Sequence, residues 1–318
     1  MNMRLIVRWL LIVAAVIGFA IAAGVLLGGV VPVVAIIGNF AWYAVWMCLA
    51  AAVLAWRMGE RKVALAAGAA LALNAAFAIP AILPNFDVHA PGQKPLRLML
   101  HNIWWNNAEL DKVVEQIRAA DADVVVLQEV YNVNRDQLRV LDAEYPYRVE
   151  CWASRFCDVL ILSRVALEDG ANFNKFGEVR LGLARAGFSV NGCPVTLFAA
   201  HLNRPWPYTR RDQRRTQANQ VEVLAEEVRA WPGPKIVAGD FNATPWTHPV
   251  TAIEDAAKGR ALGGFSGTWP WFLPGPLKLP IDHVIVSRPV LTATRTVLEP
   301  QGSDHSAVLV ELTAECRR

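Results

Sequence analysis

The first 83 residues form three long apolar runs separated by short breaks. The runs extend from Trp9 to Val31, from Val33 to Trp56 and from Val63 to Leu83. Each approaches the roughly 20 residues that a helix needs to cross the hydrocarbon core of a bilayer. The pattern predicts a three-helix transmembrane anchor over residues 1–83. A cleavable signal peptide is the alternative for the first run, because Ala20-Ile21-Ala22 resembles a cleavage site.

Basic residues lie at one end of these predicted helices. Arg4 and Arg8 precede the first run, and the second and third runs are separated by a segment with three more basic residues, Arg57, Arg61 and Lys62. The positive-inside rule places both groups in the cytoplasm. The third helix would then deliver the rest of the chain to the extracytoplasmic side.

After the apolar part, a proline-containing stretch over residues 84–95 predicts an extended linker. From residue 96 to residue 318 short apolar runs alternate with helical patterns. Strands are predicted at Leu96–Ile103, Val124–Leu127, Val159–Leu162, Arg185–Val190, Val195–Ala200, Lys235–Ala238, Val284–Ser287, Thr294–Leu298 and Ala307–Leu312. Helices are predicted at Ala108–Ala120, Arg135–Leu141, Thr209–Ala230 and His248–Ala257. Many strands with few helices between them indicate an α/β domain of two packed sheets with helices outside.

Composition sharpens this division of the chain. The protein has 318 residues, of which 54% are hydrophobic and 19% charged. Of its 31 basic and 28 acidic residues, the first 83 residues contain five and one, which leaves residues 84–318 near neutral at −1. A nuclease that grips DNA through its phosphates normally clusters Lys and Arg on the binding domain. The charge therefore disfavours a DNA-binding face without excluding a nucleic-acid substrate.

The five cysteines are Cys48, Cys151, Cys157, Cys193 and Cys316. Cys48 lies in an apolar run. Cys151 and Cys157 are close enough to form a short disulfide loop in an oxidising compartment, and they would remain thiols in the cytosol. The sequence leaves both states open.

Polar clusters follow or precede the apolar runs of the second part. They are Leu100-His101-Asn102, Leu127-Gln128-Glu129, Ala200-His201-Leu202, Gly239-Asp240-Phe241-Asn242, Ile281-Asp282-His283 and Ser303-Asp304-His305. Carboxylates, amides and imidazoles gathered at strand ends indicate a metal-assisted site that breaks phosphate esters. Asn102 and Glu129 offer the oxygen ligands that suit Mg²⁺.

Asp240 and Asn242 are two residues apart, so an extended segment places both side chains on one side. The carboxylate could orient or deprotonate a water, and the amide could donate to a phosphoryl oxygen. An Asx turn at the end of a strand is the structural alternative for this pair.

Two histidines are candidates for proton transfer or phosphate binding. His305 has Asp304 beside it and Asp282 upstream, and His201 ends a predicted strand. A structural hydrogen bond is the alternative for each. Strand alternation points His101 and His283 to the opposite face.

In this order, the six clusters resemble the endonuclease/exonuclease/phosphatase superfamily over about residues 96–312. The resemblance implies a four-layer α/β/β/α sandwich, here preceded by the three transmembrane helices, and Mg²⁺-dependent attack of water on phosphorus, with Mn²⁺ as the alternative ion. It also implies roles for individual residues. In these roles Asn102, Glu129 and Asp304 hold the metal, Asp240 positions water, Asn242 binds phosphate, His201 contacts the scissile phosphate and Asp282 orients His305.

The apolar N-terminus makes the chain similar to the membrane-anchored bacterial branch, which includes a teicoplanin-resistance protein associated with undecaprenyl-diphosphate recycling. That branch implies a multi-pass protein of the bacterial inner membrane with an extracytoplasmic catalytic domain. Tryptophans near the predicted strand ends would surround the mouth of the site and admit an apolar tail. They are Trp104, Trp105, Trp206, Trp246, Trp269 and Trp271. Ordinary packing of tryptophans in loops is the alternative.

The expected substrate is therefore a lipid-linked, polyprenyl-type phosphate or diphosphate. Arginines after His201 could pair with a second phosphate or form a solvated helix face. They are Arg204, Arg210, Arg211, Arg214 and Arg215. The enzymatic alternative is an extracytoplasmic nuclease or sphingomyelinase-type phosphodiesterase. The non-enzymatic alternative is a catalytically silent, tethered binding module.

Overall fold

The computed structural model describes residues 3–87, 92–150, 158–205 and 216–316. The chain forms two compact units. The first consists of Met1–Leu83 with Thr244–His248, and the second of Pro84–Ala243 with Pro249–Arg318. Cys151, Cys157, Trp206 and the arginines from Arg210 to Arg215 lie outside the described residues.

From residue 3 onward, the first unit contains four helices: α1 (Met3–Leu27), α2 (Pro32–Gly38), α3 (Ala41–Arg57) and α4 (Arg61–Ile82). α1 and α4 are long and apolar enough to cross a membrane. The second predicted run is not one helix, because it is interrupted between Gly38 and Ala41. α3 has 17 residues, and at 1.5 Å per residue it extends only about 25 Å. Three transmembrane helices are thus corrected to two candidate spans, and a signal sequence or a buried core helix has the same length and composition.

Small residues allow the helices of this unit to approach closely. A Cβ atom at Gly18 would collide with the Cys48 sulfur. Asn74 is fully buried, and its amide donates to the Gly18 carbonyl at 2.9 Å. Trp246 also belongs to this unit, where its indole N–H donates to the Gly38 carbonyl at 2.8 Å. Small side chains and interhelical hydrogen bonds are typical of helix packing in membranes.

The second unit combines twelve strands with four α-helices in its described part. In chain order they are β1 (Leu96–Asn102), α5 (Leu110–Ala120), β2 (Val124–Gln128), α6 (Asn132–Leu138), β3 (Tyr147–Glu150), β4 (Leu160–Ser163), β5 (Glu168–Phe173), β6 (Gly182–Val190), β7 (Cys193–His201), α7 (Gln217–Ala230), β8 (Lys235–Asp240), α8 (His248–Ala257), β9 (Gly259–Ala261), β10 (Asp282–Ser287), β11 (Val290–Val297) and β12 (Val308–Ala314).

These strands form two six-stranded sheets, in the orders β11-β12-β1-β2-β4-β3 and β5-β6-β7-β8-β10-β9. Both sheets follow one pattern. The central pair, β1/β2 or β7/β8, is parallel, and the pairs on either side are antiparallel. Because an antiparallel neighbour begins where a central strand ends, β12 and β10 start beside the carboxyl ends of β1 and β8.

Alternation along the strands produces three apolar layers. Val126 and Ile236 belong to the core between the two sheets. On the outer face of the first sheet, α5 packs Val113 and Ile117 against that sheet. On the outer face of the second, α7 and α8 contribute Leu224, Val228 and Ile253 to a third core. This arrangement confirms the α/β fold of two mixed sheets with outer helices.

β7 and β8 approach closely near the polar clusters. A Cβ atom at Gly239 would collide with the carbonyl oxygen of Ala200 on the neighbouring strand. Only glycine fits this contact, because it lacks the Cβ atom. Gly239 therefore fixes the spacing of the two strands one residue before Asp240.

The stretch before β1 is attached to the second unit. The Asn85 amide donates to the Ala261 carbonyl at 2.8 Å, and its oxygen accepts from the Gly263 N–H at 3.0 Å. The Asp87 carboxylate accepts hydrogen bonds from Arg260 and Arg288. The predicted extended linker therefore describes residues 84–87 incompletely, since the side chains of Asn85 and Asp87 are bonded to the sheet edges.

Candidate active site

Asp240 lies at the centre of the polar clusters. The Asn102 amide donates to Asp240 Oδ2 at 3.0 Å and to Glu129 Oε1 at 3.1 Å. Asn102 and Asp240 end β1 and β8, which belong to different sheets. Glu129 follows β2 with a positive φ of 60°, and its second oxygen accepts from the Trp105 N–H at 3.0 Å. The structure thus brings these three predicted residues together.

His305 is held between two aspartates. Its Nδ1 is 2.9 Å from Asp282 Oδ2, and its Nε2 is 3.7 Å from Asp240 Oδ2. The Ser303 hydroxyl fixes this turn, because it donates to the Asn102 carbonyl at 2.6 Å and accepts from the His305 N–H at 3.0 Å. Asp282 pairs with Asp240 across the antiparallel strands β10 and β8. The structure thus brings Asp282 and His305 together, and the orienting role of Asp282 stays a prediction.

His201 approaches Asp240 from the other side. Its Nε2 is 3.7 Å from Asp240 Oδ2, and its Nδ1 is 2.7 Å from Asp158 Oδ2. The Tyr131 hydroxyl donates to the same Asp158 oxygen at 3.0 Å. None of the sequence motifs includes Asp158. It precedes β4 without a recognisable motif, and an acidic residue directly before an apolar run was the only available signal.

Asn242 lies beside Asp240 in the left-handed backbone region, with φ of 49°. Its N–H donates to Asp240 Oδ1 at 2.8 Å. Its side-chain amide donates to the Leu202 carbonyl at 2.9 Å and contacts Asp240 Oδ2 at 3.3 Å. Asparagine tolerates this backbone conformation better than most residues. The predicted phosphate donor is therefore engaged with the protein, as the Asx-turn alternative expects.

Burial and neighbouring charges alter the acid–base properties of the site. Burial alone would lower the pKa of His201, but Asp158, with Asp240 and Glu129, raises it to about 10. Burial would likewise lower the pKa of His305, and Asp282 and Asp240 raise it to about 9. Burial is the main cause that raises the pKa of Asp240 to about 6. Both imidazoles thus favour the charged form near neutral pH.

His101 and His283 have different surroundings. His101 Nε2 is 3.2 Å from the His305 carbonyl, and His283 Nε2 is 2.7 Å from the Ala243 carbonyl. Burial lowers the pKa of each to about 4. These contacts with backbone carbonyls agree with the predicted structural role.

The aromatic residues differ in their exposure. Trp105, Trp271 and Phe272 are more than half exposed. The Trp271 N–H donates to the Asp304 carbonyl at 3.0 Å, next to His305. Trp246, in contrast, is buried among helices of the first unit. Trp246 thus packs as the alternative predicts, with its indole N–H bonded to the Gly38 carbonyl.

The sequence from residue 99 to residue 305 matches the model of the endonuclease/exonuclease/phosphatase family. The chain belongs to this family. No curated protein sequence matches the chain significantly. The family match runs from Met99 in β1 to His305 and includes every predicted site residue. Members of this family are typically divalent-metal-dependent hydrolases of phosphodiester bonds.

Solved structures support the same fold at low sequence identity. An endonuclease/exonuclease/phosphatase from Bacteroides vulgatus is 18% identical with a TM-score of 0.57, covering 70% of this chain and 100% of that one. D. rerio TDP2 complexed with single-strand DNA product is 15% identical with a TM-score of 0.54, covering 69% and 99%. The human Nocturnin catalytic domain with bound sulfate is 17% identical with a TM-score of 0.51, covering 73% and 98%.

The residues present fit the divalent cation that the family uses. Asp240, Asp282 and His305 each place a ligand atom within 4.8 Å of the others. One oxygen of Asp282 and one of Asp304 are buried without a hydrogen-bond partner in the described part of the chain. Glu129 adds a carboxylate through its contact with Asn102. Hard oxygen donors of this kind suit a divalent ion such as Mg²⁺.

Proposed function

We propose that this protein is a metal-dependent phosphohydrolase that cleaves a phosphate ester or a diphosphate. One observation carries the proposal. Asp240 Oδ2 lies 3.7 Å from Nε2 of both His201 and His305, and 3.0 Å from the Asn102 amide. A buried carboxylate between two cationic imidazoles is suited to a reaction that moves a proton and develops negative charge at phosphorus.

The hydrogen bonds of each side chain indicate its role in the proposed reaction. Asp158 and Asp282 hold Nδ1 of His201 and His305, which leaves each Nε2 directed toward Asp240. The charged imidazoles would stabilise negative charge on the phosphoryl oxygens, and Asp240 would orient the attacking water. Asn102, Glu129, Asp282 and Asp304 would hold the cation. A bound divalent ion would polarise a phosphoryl oxygen and lower the pKa of water.

A lipid-linked phosphate, of the polyprenyl type, is our preferred substrate class. Trp105 and Trp271 are exposed, and each is bonded through its backbone to a residue at or beside the site, Glu129 or Asp304. Phe272 contacts Trp271 edge-on, with ring centroids 6.0 Å apart. Exposed aromatics of this kind favour contact with an apolar chain or a membrane surface.

We further propose a membrane anchor and an extracytoplasmic site, as in the membrane-anchored bacterial branch. Two apolar helices of sufficient length support the anchor, and the distribution of basic residues supports the orientation. A disulfide between Cys193 and Cys316 joins the start of β7 to the segment after β12. Disulfides persist in oxidising compartments, so this bond favours the extracytoplasmic side.

A nucleic-acid substrate is the second candidate. It is favoured by the D. rerio TDP2 structure, which contains a single-strand DNA product. The exposed tryptophans could stack on bases as well as on lipid. The near-neutral charge of residues 84–318 speaks for the lipid.

The deciding experiment offers the detergent-purified full chain a polyprenyl diphosphate with Mg²⁺ and measures phosphate release, with plasmid DNA in parallel. We expect release from the lipid, and loss of release in EDTA and in His305→Ala. DNA nicking without lipid turnover would move the protein to the nuclease candidate. Neither activity, from protein shown to be folded, would favour the tethered binding module.

A further inference from the structure

Gln128 is a buried residue whose amide has no partner. Its side chain is fully buried at the end of β2. Within the described part of the chain, neither Oε1 nor Nε2 forms a hydrogen bond. Gln220 provides the contrast, because it is also buried but its oxygen accepts from the Asn203 N–H and its amide donates to the Arg180 carbonyl, both at 2.7 Å. Buried amides are normally paired in this way.

Strand alternation places Gln128 on the face that carries the catalytic groups. Val124 and Val126 share its side of β2, and both belong to the core between the two sheets. Leu127 points the other way, into the core that includes α5. Gln128 pairs with Asn102 in the parallel ladder. It therefore lies at the site edge, beside the residue that bonds to Asp240.

On its other side, β2 neighbours β4, and Asp158, which holds His201, lies just before that strand. Leu127 pairs with Leu160 on the antiparallel strand β4. Gln128 consequently lies beside the segment that runs from Asp158 into β4. Its position is between the residue that contacts Asp240 and the residue that holds His201.

The other two site amides have no N–H left for a ligand. Both hydrogens of the Asn102 amide are directed to carboxylates, those of Glu129 and Asp240. The Asn242 amide contacts the Leu202 carbonyl and Asp240. Among the described amides at this edge, Gln128 is the one with an unused donor and an unused acceptor.

We propose that Gln128 contacts the substrate. Its amide N–H donates to a non-bridging phosphoryl oxygen, and its amide oxygen accepts from a water in the site. The proposal rests on the proposed phosphohydrolase function and adds a neutral donor to it. A buried amide without partners lowers the stability of the fold, and such a residue is expected where a ligand completes its hydrogen bonds.

The test compares two isosteric substitutions with a matched control. Gln128→Met keeps length and removes both polar groups, and Gln128→Glu keeps an acceptor but removes the donor. Gln220→Met removes a paired amide of similar burial. We expect Gln128→Met to lower kcat for the polyprenyl diphosphate by about 100-fold while Tm stays equal or rises. Gln220→Met should lower Tm and leave kcat per folded molecule unchanged.

Gln128→Glu should also lose turnover if the donor is what matters. Turnover of Gln128→Met within about twofold of wild type would overturn the proposal, as would a Tm loss as large as that of Gln220→Met. The first result would leave the phosphohydrolase function intact, so the two hypotheses fail separately.

A binding measurement covers the case in which the wild-type chain hydrolyses nothing. Inorganic phosphate with Mg²⁺ is then the probe, and the readout is the phosphate-dependent rise in Tm. A rise in the wild type that disappears in Gln128→Met, but not in Gln220→Met, would support the contact. The same rise in Gln128→Met, or no rise in the wild type, would overturn it.

Discussion

Asp87 and Asp240 are both largely buried carboxylates of the second unit, but their surroundings differ. Asp87 accepts from Arg260 at 2.6 Å, from Arg288 at 2.9 Å and from the Thr292 N–H at 3.0 Å. Burial would raise the pKa of Asp87, yet the Thr292 hydrogen bond and the two guanidinium groups lower it overall. Asp240 has an amide and two imidazoles around it, and burial raises its pKa to about 6.

The difference separates a structural carboxylate from a functional one. Within the described residues, the charge of Asp87 is neutralised by arginines that belong to the chain. None of Glu129, Asp240 and Asp282 forms an ion pair with lysine or arginine in that part of the chain. Asp240 and Asp282 lie instead beside the imidazoles of His201 and His305, which can release and accept protons as well as carry charge. The site carboxylates are therefore suited to proton transfer, and Asp87 to attachment.

The largest effect is expected for the carboxylate at the centre of the site. Asp240→Asn keeps the shape but removes the charge between the imidazoles, and we expect turnover to fall at least about 1,000-fold. The protein should remain folded, because asparagine can still accept from the Asn102 amide and both histidines keep their Nδ1 partners. Steady-state kinetics and a thermal melt check this. Asp87→Asn is the matched control and should keep wild-type turnover; equal losses in the two variants would remove the distinction between them.

Metal binding should distinguish the same two carboxylates without any substrate. A divalent ion at 100 times its Kd stabilises a protein by about 2.7 kcal/mol if it binds only the folded state. We expect Mg²⁺ to raise Tm in the wild type and in Asp87→Asn, and EDTA to reverse the rise. Asp240→Asn should lose most of the shift, because the Asp240 carboxylate lies within 4.8 Å of ligand atoms of Asp282 and His305 and its charge would contribute to cation binding. A Tm that does not respond to Mg²⁺ or Mn²⁺ in the wild type would contradict the metal site.

A substitution of Asp158 tests whether the carboxylate that holds His201 contributes to turnover. Asp158→Asn would leave Nδ1 of His201 without its carboxylate, and we expect turnover to fall about 10–100-fold. The double variant should lose little more turnover than His201→Ala alone, because Asp158 acts through His201. Additive losses in that kinetic cycle would show an independent role for Asp158.

The smallest effect concerns the stability that Asp87 provides. Its arginine partners are partly exposed, so Asp87→Asn should lower the free energy of unfolding by only about 1 kcal/mol at pH 7. Since the folded-state pKa is lowered, this contribution is complete above the unfolded pKa of about 3.9 and is lost as the pH falls through the folded value. Urea melts at pH 7 and at pH 3 should show the difference between variant and wild type shrinking in acid. A constant difference would reject the ionic contribution.

The sequence predicts the central strands well because they have strong patterns. Most residues of β1, β2, β7 and β8 are apolar, as is typical of strands buried on both faces, and each strand ends in a polar cluster. β5 was missed because its residues, Glu168–Phe173, are polar and mostly exposed at a sheet edge. The second apolar run was predicted as a single helix because its hydropathy does not reveal the interruption after Gly38.

Contacts between residues far apart in the chain are the other feature that the sequence alone does not predict. Cys193 and Cys316 are separated by 123 residues, so their spacing gives no sign of a disulfide, whereas the pair that spacing favoured lies outside the described residues. Asp158 and His201 have no shared motif. For Gln128, the motif was visible, but its missing partners become visible only when every neighbouring amide has been placed.

The common pattern of the two sheets has one further consequence. Asn102, Asp158 and His305 lie at strand ends of the first sheet, and Asp240, His201 and Asp282 at those of the second. Every hydrogen bond that joins these six residues in pairs passes from one sheet to the other. The geometry of the site therefore depends on how the two sheets are aligned with each other. A small slip of one sheet against the other would misalign all three pairs together, while each sheet by itself stayed intact.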